Sequence, residues 1–79
     1  MTVSELLNTE SKWGQGLMRK EGKMCILDAI FVAYPGESEY NRVKNRVKKY
    51  LRCDNIVGWN DSSQRTFADV RQVIEALNI

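Results

Sequence analysis

The sequence contains no histidine, and this absence removes several kinds of chemistry at once. Cys-His and Ser-His nucleophile pairs, the commonest general base and every zinc site with an imidazole ligand need that residue. Two cysteines, Cys25 and Cys53, are too few for a disulfide scaffold, and they cannot close a structural zinc tetrahedron without carboxylates. We therefore predict that the protein is not an enzyme and has no catalytic residue, no metal and no cofactor.

The two cysteines leave three interpretations open. In a reducing compartment the default is a pair of buried thiols, and a bridge between Cys25 and Cys53 is the second possibility. The third is an activated thiolate at Cys25, near the start of an apolar helix and close to Lys23, which gives a marginal hypothesis of a Cys25-dependent enzyme. We favour the buried thiols, because the neighbours of Cys25 are apolar and a histidine base is missing.

A long apolar run and a signal peptide are also absent. The longest strongly apolar stretch, residues 24–34, contains Asp28 and is far too short to span a bilayer. The first ten residues contain Glu5 and Glu10 and lack the basic start of a signal peptide. We expect a cytoplasmic protein, complete as it stands and not bound to a membrane. Its 79 residues predict one compact domain over residues 1–79.

Caps and the spacing of apolar residues predict about four helices. Thr2 and Glu5 have the spacing of a capping box, so the first helix is expected at about residues 3–9. Residues 25–33 are apolar nearly all round, which indicates a central helix covered on several faces. Pro35 ends that helix, because proline cannot donate a backbone hydrogen bond and disfavours helical geometry at the preceding residue.

Two further helices are predicted in the second half of the chain. Ser38 is placed to cap the third helix, which runs to residue 51 or 52. Thr66 and Asp69 resemble a second capping box, and the final helix is expected from residue 67 to about residue 77.

The connection between these two helices, residues 54–65, contains apolar and turn-forming residues. We predict a short extended piece at Ile56 and Val57, followed by a turn. Trp59 in that turn has two interpretations, an exposed anchor of a protein interface or a cover over the edge of a small core. We favour core packing for Trp59, and for Trp13 as well.

A small hairpin is predicted between the first two helices. Trp13, Gln15 and Leu17 lie on one side of an extended segment. A turn at residues 21–22 then precedes residues 23–25 as the second segment. The expected fold class is therefore α+β and mostly helical, with about four helices and a small β-hairpin between the first two.

Basic residues are concentrated on the third predicted helix. Six of the twelve Lys and Arg residues fall within eleven positions, while the rest of the chain carries six basic against ten acidic residues. At about 100° per residue, the apolar residues of this helix share one arc and form a predicted buried stripe. They are Tyr40, Val43, Val47, Tyr50 and Leu51. The basic residues occupy the outer arc and are the predicted partner-binding site. They are Arg42, Lys44, Arg46, Lys48, Lys49 and Arg52.

This outer arc predicts an anionic partner. Like charges four residues apart on a helix repel each other, so a helix without a partner normally mixes signs. The leading hypothesis is a non-enzymatic interaction module that binds an acidic protein surface or a nucleic-acid-processing complex. The alternative is direct, sequence-tolerant nucleic-acid binding. A third interpretation is a solvated face, neutralised by acidic residues of neighbouring elements. The oligomeric state stays open.

Short motifs follow one another in a distinctive order along most of the chain. They are Trp13-Gly14-Gln15-Gly16, the Cys25-led apolar run within residues 22–30, Trp59-Asn60-Asp61, and then Thr66, Asp69 and Val70. This order resembles a family of small uncharacterised bacterial and phage domains, a domain of unknown function. The resemblance names no catalytic residue. It implies a structural role for the residues at its centre and a phage or mobile-element setting. The leading hypothesis extends to a phage-type module that inhibits a host defence complex in an anti-CRISPR-like way. The residues given this structural role are Trp13, Cys25, Trp59, Asn60 and Asp61.

Overall fold

The computed structural model describes residues 1–16 and 21–79. Five α-helices form in these residues, and a 3-10 helix, Glu10–Lys12, follows the first of them. The α-helices are α1 (Val3–Leu6), α2 (Ile26–Ala33), α3 (Glu37–Leu51), α4 (Ile56–Asn60) and α5 (Phe67–Leu77). Among the helices of the described residues, none is both long and apolar enough to cross a membrane.

Helix α2 lies at the centre of the helical packing. It contacts α1, α3 and α4, while α5 contacts α1 and α3. The sequence of α2 is apolar nearly all round and three helices pack against it, so the predicted central helix is confirmed. The buried side chains of this core are Val3, Leu7, Ile26, Ala29, Ile30, Val43, Val47, Ile56, Val70, Val73, Ile74 and Ile79.

Both predicted capping boxes are present. Thr2 Oγ1 accepts from Glu5 N at 3.1 Å, and Glu5 Oε1 accepts from Thr2 N at 2.9 Å. Thr66 Oγ1 accepts from Asp69 N at 3.2 Å, and Asp69 Oδ2 accepts from Thr66 N at 3.0 Å. These bonds satisfy backbone donors that have no partner within a helix, so they fix where α1 and α5 begin. The predicted final helix, residues 67–77, is confirmed.

Helix α1 is shorter than predicted and ends at Leu6 instead of continuing to about residue 9. Arg71 of α5 explains the early end. Its Nη1 donates to Ser4 O at 3.1 Å and to Leu7 O at 3.3 Å, so a side chain from another helix satisfies carbonyls at the end of α1.

The predicted N-cap of α3 is wrong. The helix begins at Glu37, and its N-cap is Gly36, which makes no side-chain cap bond. Ser38 is therefore already inside the first turn. At the other end Arg52 adopts a left-handed conformation with φ 53°, and Cys53 N donates back to Lys48 O at 3.1 Å. The predicted end at residue 51 or 52 is confirmed.

The predicted β-hairpin between the first two helices is also wrong. Residues 1–16 and 21–79 form no β-strand, and their β-type pairing is an isolated parallel bridge between Trp13 and Met24. Its hydrogen bonds run from Met24 N to Lys12 O at 3.0 Å and from Gly14 N to Met24 O at 3.1 Å. A hairpin pairs antiparallel segments instead. Leu17, at the end of the predicted first segment, lies outside the described residues.

Side chains form hydrogen bonds with the backbone groups that would otherwise extend the bridge into a longer β-ladder. Gly14 O accepts from Asn60 Nδ2 at 3.0 Å, and Ile26 N donates to Asn60 Oδ1 at 3.1 Å. Gly16 N donates to Asp61 Oδ1 at 2.9 Å, and its φ of 63° departs from extended geometry. The fold class is therefore helical over the described residues, and not α+β.

The predicted extended piece at Ile56 and Val57 is a short helix, α4. Asn55 caps it, because Asn55 Oδ1 accepts from Gly58 N at 2.9 Å. A Cβ atom at Gly58 would lie 2.6 Å from Asn55 Nδ2, so the glycine leaves room for this cap. Ile56 is buried at the first position of α4, and burial of its side chain adds to the helical preference that the cap creates.

Candidate functional site

A buried asparagine joins three segments of the chain. Asn60 is 0% exposed, and its Oδ1 accepts from Trp13 Nε1 at 2.7 Å and from Ile26 N at 3.1 Å. Its Nδ2 donates to Gly14 O at 3.0 Å and to Asp61 Oδ1 at 3.0 Å. Both amide hydrogens and both carbonyl lone pairs of the side chain are therefore engaged.

Further hydrogen bonds surround this amide. Gln15 Nε2 donates to Asn60 O at 2.9 Å and to Ser62 O at 2.8 Å, and Asp61 Oδ1 also accepts from Gly16 N at 2.9 Å. We call this group the Asn60 cluster. Its members are Trp13, Gly14, Gln15, Gly16, Asn60 and Asp61. The cluster explains why the Trp-Gly and the Trp-Asn-Asp motifs occur together, because each supplies the hydrogen-bond partners of the other.

The two tryptophans are half-buried against the core, as predicted for both. The Trp13 ring lies 6.3 Å from the Phe67 ring, centroid to centroid. The Arg65 guanidinium stacks 4.0 Å from the centre of the Trp59 ring, and Arg65 Nε donates to Trp59 O at 2.8 Å. Both rings therefore help to fix the turn between α4 and α5.

Both cysteines are free thiols, so the alternative of a Cys25 to Cys53 bridge is not realised. Cys25 is buried at the N-cap of α2, where its Sγ accepts from Asp28 N at 3.4 Å. Burial raises the pKa of the Cys25 thiol, which is the opposite of the shift that an activated thiolate needs. Cys53 is half-buried and donates to Asn55 O at 3.3 Å.

The inner side of α3 packs largely as predicted. Val43 and Val47 are buried, and Tyr40 and Leu51 are half-buried against the core. Tyr50 departs from the prediction, since 43% of it is exposed. It lies at the edge of the predicted arc, where about 100° per residue turns it away from the two valines.

The six basic residues lie on the outer side of α3, and five of them divide between its two edges. Lys44 and Lys48 are half-buried on the edge that faces α4, and we call them the lysine edge. Arg42, Arg46 and Lys49 are exposed on the opposite edge, where Arg46 Nη2 donates to Leu77 O at 2.9 Å. Arg52 is exposed at the C-cap.

Ion pairs do not neutralise this outer side within the described residues. The described residues form two ion pairs, Arg65–Asp69 at 3.8 Å and Arg71–Glu75 at 3.0 Å. Both lie on α5 or its N-terminal flank. The interpretation of a solvated face required acidic residues of neighbouring elements to fold against α3. No ion pair of the described residues supports it.

A groove separates the lysine edge from α4 and has a volume of about 210 Å³. The residues that line it are half apolar, namely Leu27, Tyr40, Ile56 and Val57, and half polar, namely Lys44, Lys48, Asp54 and Asn55. Lys44 Nζ lies 5.1 Å from the centre of the Tyr40 ring, which orients the ammonium group beside the groove. We call this feature the α3–α4 groove.

Comparison with known proteins gives a family but no activity. One family, described as a family of unknown function (DUF6197), matches residues 2–77. The chain belongs to the DUF6197 family. No curated protein matches the chain, and no solved structure matches it. The predicted resemblance to an uncharacterised domain family is thus confirmed for this DUF6197 domain, while its bacterial or phage origin stays a prediction.

The helical spacing of the six basic residues of the DUF6197 domain predicts their common outer surface, but it does not predict the groove beside two of them. The groove depends on α4, which was predicted as an extended piece. Asn55 three positions before Gly58 is the spacing of an N-cap and its bonded amide, and this signal was available in the sequence. The Asn60 cluster had no such local signal, because Trp13 and Asn60 are 47 positions apart.

Proposed function

We propose that this DUF6197 domain is a non-enzymatic interaction module that acts in the cytoplasm and binds an acidic surface of another protein with the outer side of α3. One observation carries the proposal. Six basic side chains share this side, and none of them forms an ion pair with a described acidic residue. Their mutual repulsion opposes folding, and an acidic partner would offset it on binding.

The surroundings of the basic residues favour a protein partner over a nucleic acid. Phe31 is 50% exposed and stands edge-on to Tyr40 at 5.6 Å, next to the lysine edge. Val57 is 41% exposed across the groove, and Tyr50 adds an exposed ring on another side. Aromatic and apolar groups among cations are typical of protein interfaces, whereas a phosphate backbone requires the cations alone.

Sequence-tolerant nucleic-acid binding is the second candidate. Arg42, Lys49 and Arg52 are exposed and lie away from the α3–α4 groove. They span eleven positions, 42–52, or about 15 Å along the helix axis, which is enough to follow several phosphates along a backbone. A steep fall of DNA affinity with salt would favour this candidate, and weak DNA binding that loses to an acidic peptide would oppose it.

The test compares two pairs of lysines. Lys48→Gln/Lys49→Gln removes two charges from α3, and Lys12→Gln/Lys23→Gln removes two from exposed positions outside it, so both variants change the net charge equally. Affinity is measured for a charge-only peptide of Glu and Gly and for a short DNA duplex.

We expect the α3 variant to bind the peptide about fivefold more weakly, which corresponds to about 0.5 kcal/mol for each lost ion pair. The control variant should bind like the unmodified protein. Equal losses in both variants, or no peptide binding even at low salt, would contradict the proposed function.

A further inference from the structure

We infer that the α3–α4 groove is the docking site for one large apolar side chain of an acidic peptide segment in the partner protein. The inference rests on the proposed function and deepens it, because it assigns the specificity of the surface to the groove. The occupant is a short stretch of protein with a Leu, Met or Phe anchor and with Asp or Glu residues on one side of that anchor.

The size of the groove fits a side chain better than a cofactor. Its volume is about 210 Å³. Pockets for drug-sized ligands are larger, from about 300 Å³ upward. Leu27, Tyr40 and Val57 offer apolar contact to an aliphatic or aromatic anchor, and the exposed Val57 gains the most from being covered.

The charges at the groove determine the orientation of the bound peptide. Lys44 and Lys48 lie four residues apart, about 6 Å along α3, so two carboxylates at similar spacing can pair with them. Asp54 lies in the connection beyond the C-terminal end of α3 and also lines the groove. The acidic residues of the occupant should therefore face the two lysines and should be absent beside Asp54.

The same features disfavour other occupants. Nucleic-acid phosphates would gain nothing from the apolar lining residues, and Asp54 would repel them. A second copy of this chain is an outcome that the test distinguishes by measuring self-association in the absence of peptide.

The first experiment compares two peptides of equal charge. One carries a leucine preceded by two Glu residues, and the other has glycine in place of the leucine. Burial of a leucine side chain contributes about 1.5 kcal/mol or more, so the leucine peptide should bind at least about tenfold more tightly.

The second experiment places a charge at the rim of the groove. Val57 and Ala68 are both exposed and both occupy the second position of a helix, α4 and α5 respectively. Val57→Asp should abolish the difference between the two peptides. Ala68→Asp introduces the same charge at a matched position and should preserve the difference.

The possible outcomes distinguish a failure of the groove as docking site from a failure of the proposed function. If the leucine peptide binds more tightly and this advantage is lost in Val57→Asp but not in Ala68→Asp, the groove is supported as the docking site. Equal binding of both peptides keeps the proposed function but overturns the groove as the specificity site. Binding of neither peptide overturns both. Self-association that Val57→Asp prevents, together with equal peptide binding, would overturn the peptide as the occupant in favour of a second copy.

Discussion

The Asn60 cluster and the outer side of α3 are both polar, but they satisfy their polar groups in opposite ways. Asn60 makes four side-chain hydrogen bonds inside the chain and is completely buried. The cations of α3 include four exposed side chains, and none of the six pairs with an acidic residue in the described part of the chain. The first region therefore helps to specify the fold, whereas we propose that the second binds a partner.

Burial explains this difference. A buried polar atom without a partner costs about 1–3 kcal/mol, so the interior admits Asn60 only with all its bonds made. Among the described residues, the buried side-chain nitrogen and oxygen atoms all have a partner. A charge on the surface is solvated by water at little cost, so α3 can carry cations that form no ion pair with the described acidic residues. Substitutions in the two regions should differ sharply in their effect on stability.

The largest effect is expected for Asn60→Ala. The substitution leaves Trp13 Nε1, Ile26 N and Gly14 O without their partner, and we expect a loss of about 3–5 kcal/mol in the free energy of unfolding. Urea unfolding measures the loss. Asn45→Ala on the exposed side of α3 is the matched control and should change stability by less than about 0.5 kcal/mol.

If Asn60→Ala does not fold, Trp13→Phe removes one hydrogen bond of the cluster together with part of the ring that packs against Phe67. We expect it to cost about 1–3 kcal/mol, which includes the unpaired Asn60 Oδ1 lone pair. A cost below about 0.5 kcal/mol for either substitution would mean that the cluster does not hold the fold together.

The second expected effect is a difference in the rates at which the two thiols react with a labelling reagent. Cys25 is buried, its pKa is raised by burial, and the adjacent Ile26 N is held by Asn60. Cys53 is half-buried and far less protected. We expect a thiol reagent at neutral pH to modify Cys25 at least about tenfold more slowly than Cys53. Mass spectrometry of the Cys25→Ser and Cys53→Ser variants gives both rates. Faster labelling of Cys25 would revive the hypothesis of a Cys25-dependent enzyme.

The raised pKa also has a consequence for stability. A thiol that holds its proton more tightly when folded contributes stability below its unfolded pKa, and that contribution is lost as the pH rises toward the folded pKa. Cys25→Ser should therefore reduce the loss of stability under alkaline conditions. Measurements of unfolding at neutral and alkaline pH test this direction.

The loss of a helix cap should lower stability by an intermediate amount, less than Asn60→Ala and more than substitutions on the outer side of α3. Thr66→Ala removes the side-chain acceptor of the α5 capping box and should cost about 1 kcal/mol. Thr9 precedes the 3-10 helix and makes no cap bond, so Thr9→Ala serves as the control and should cost less than half as much. Similar losses in both variants would show that the cap bond contributes little.

The smallest effect is expected on the outer side of α3. Lys48→Gln/Lys49→Gln relieves repulsion with neighbouring cations but loses favourable charges in the last turn, and the two changes are of similar size. We expect the free energy of unfolding to change by less than about 0.5 kcal/mol. A loss above about 1 kcal/mol would assign these lysines a structural role and would weaken the proposed function.

The comparison also shows which parts of the structure could be predicted. The capping boxes and the apolar α2 depend on residues within one or two helical turns, so the sequence pattern was sufficient for them. Ile56 and Val57 are β-branched and favoured an extended piece, but the Asn55 cap and the burial of Ile56 make the segment helical.

Long-range contacts account for what was missed. The bonds of Asn60 to Trp13 and to Ile26 cross 47 and 34 positions, and the bond of Arg46 to Leu77 crosses 31. No local pattern specifies such pairs. The six basic residues of α3 were found from their helical spacing alone, but the division between a lysine edge and an opposite edge required the position of α4.

The most direct test of this account is an NMR titration of the ¹⁵N-labelled protein with the leucine-containing acidic peptide. We predict progressive shifts of the backbone amides of residues 42–52 and 56–57, with the Trp13 indole and the Asn60 side-chain amide unchanged. Shifts centred on the Trp13 indole and the Asn60 side chain, with α3 unaffected, would contradict the assignment of binding to one region and of fold specification to the other.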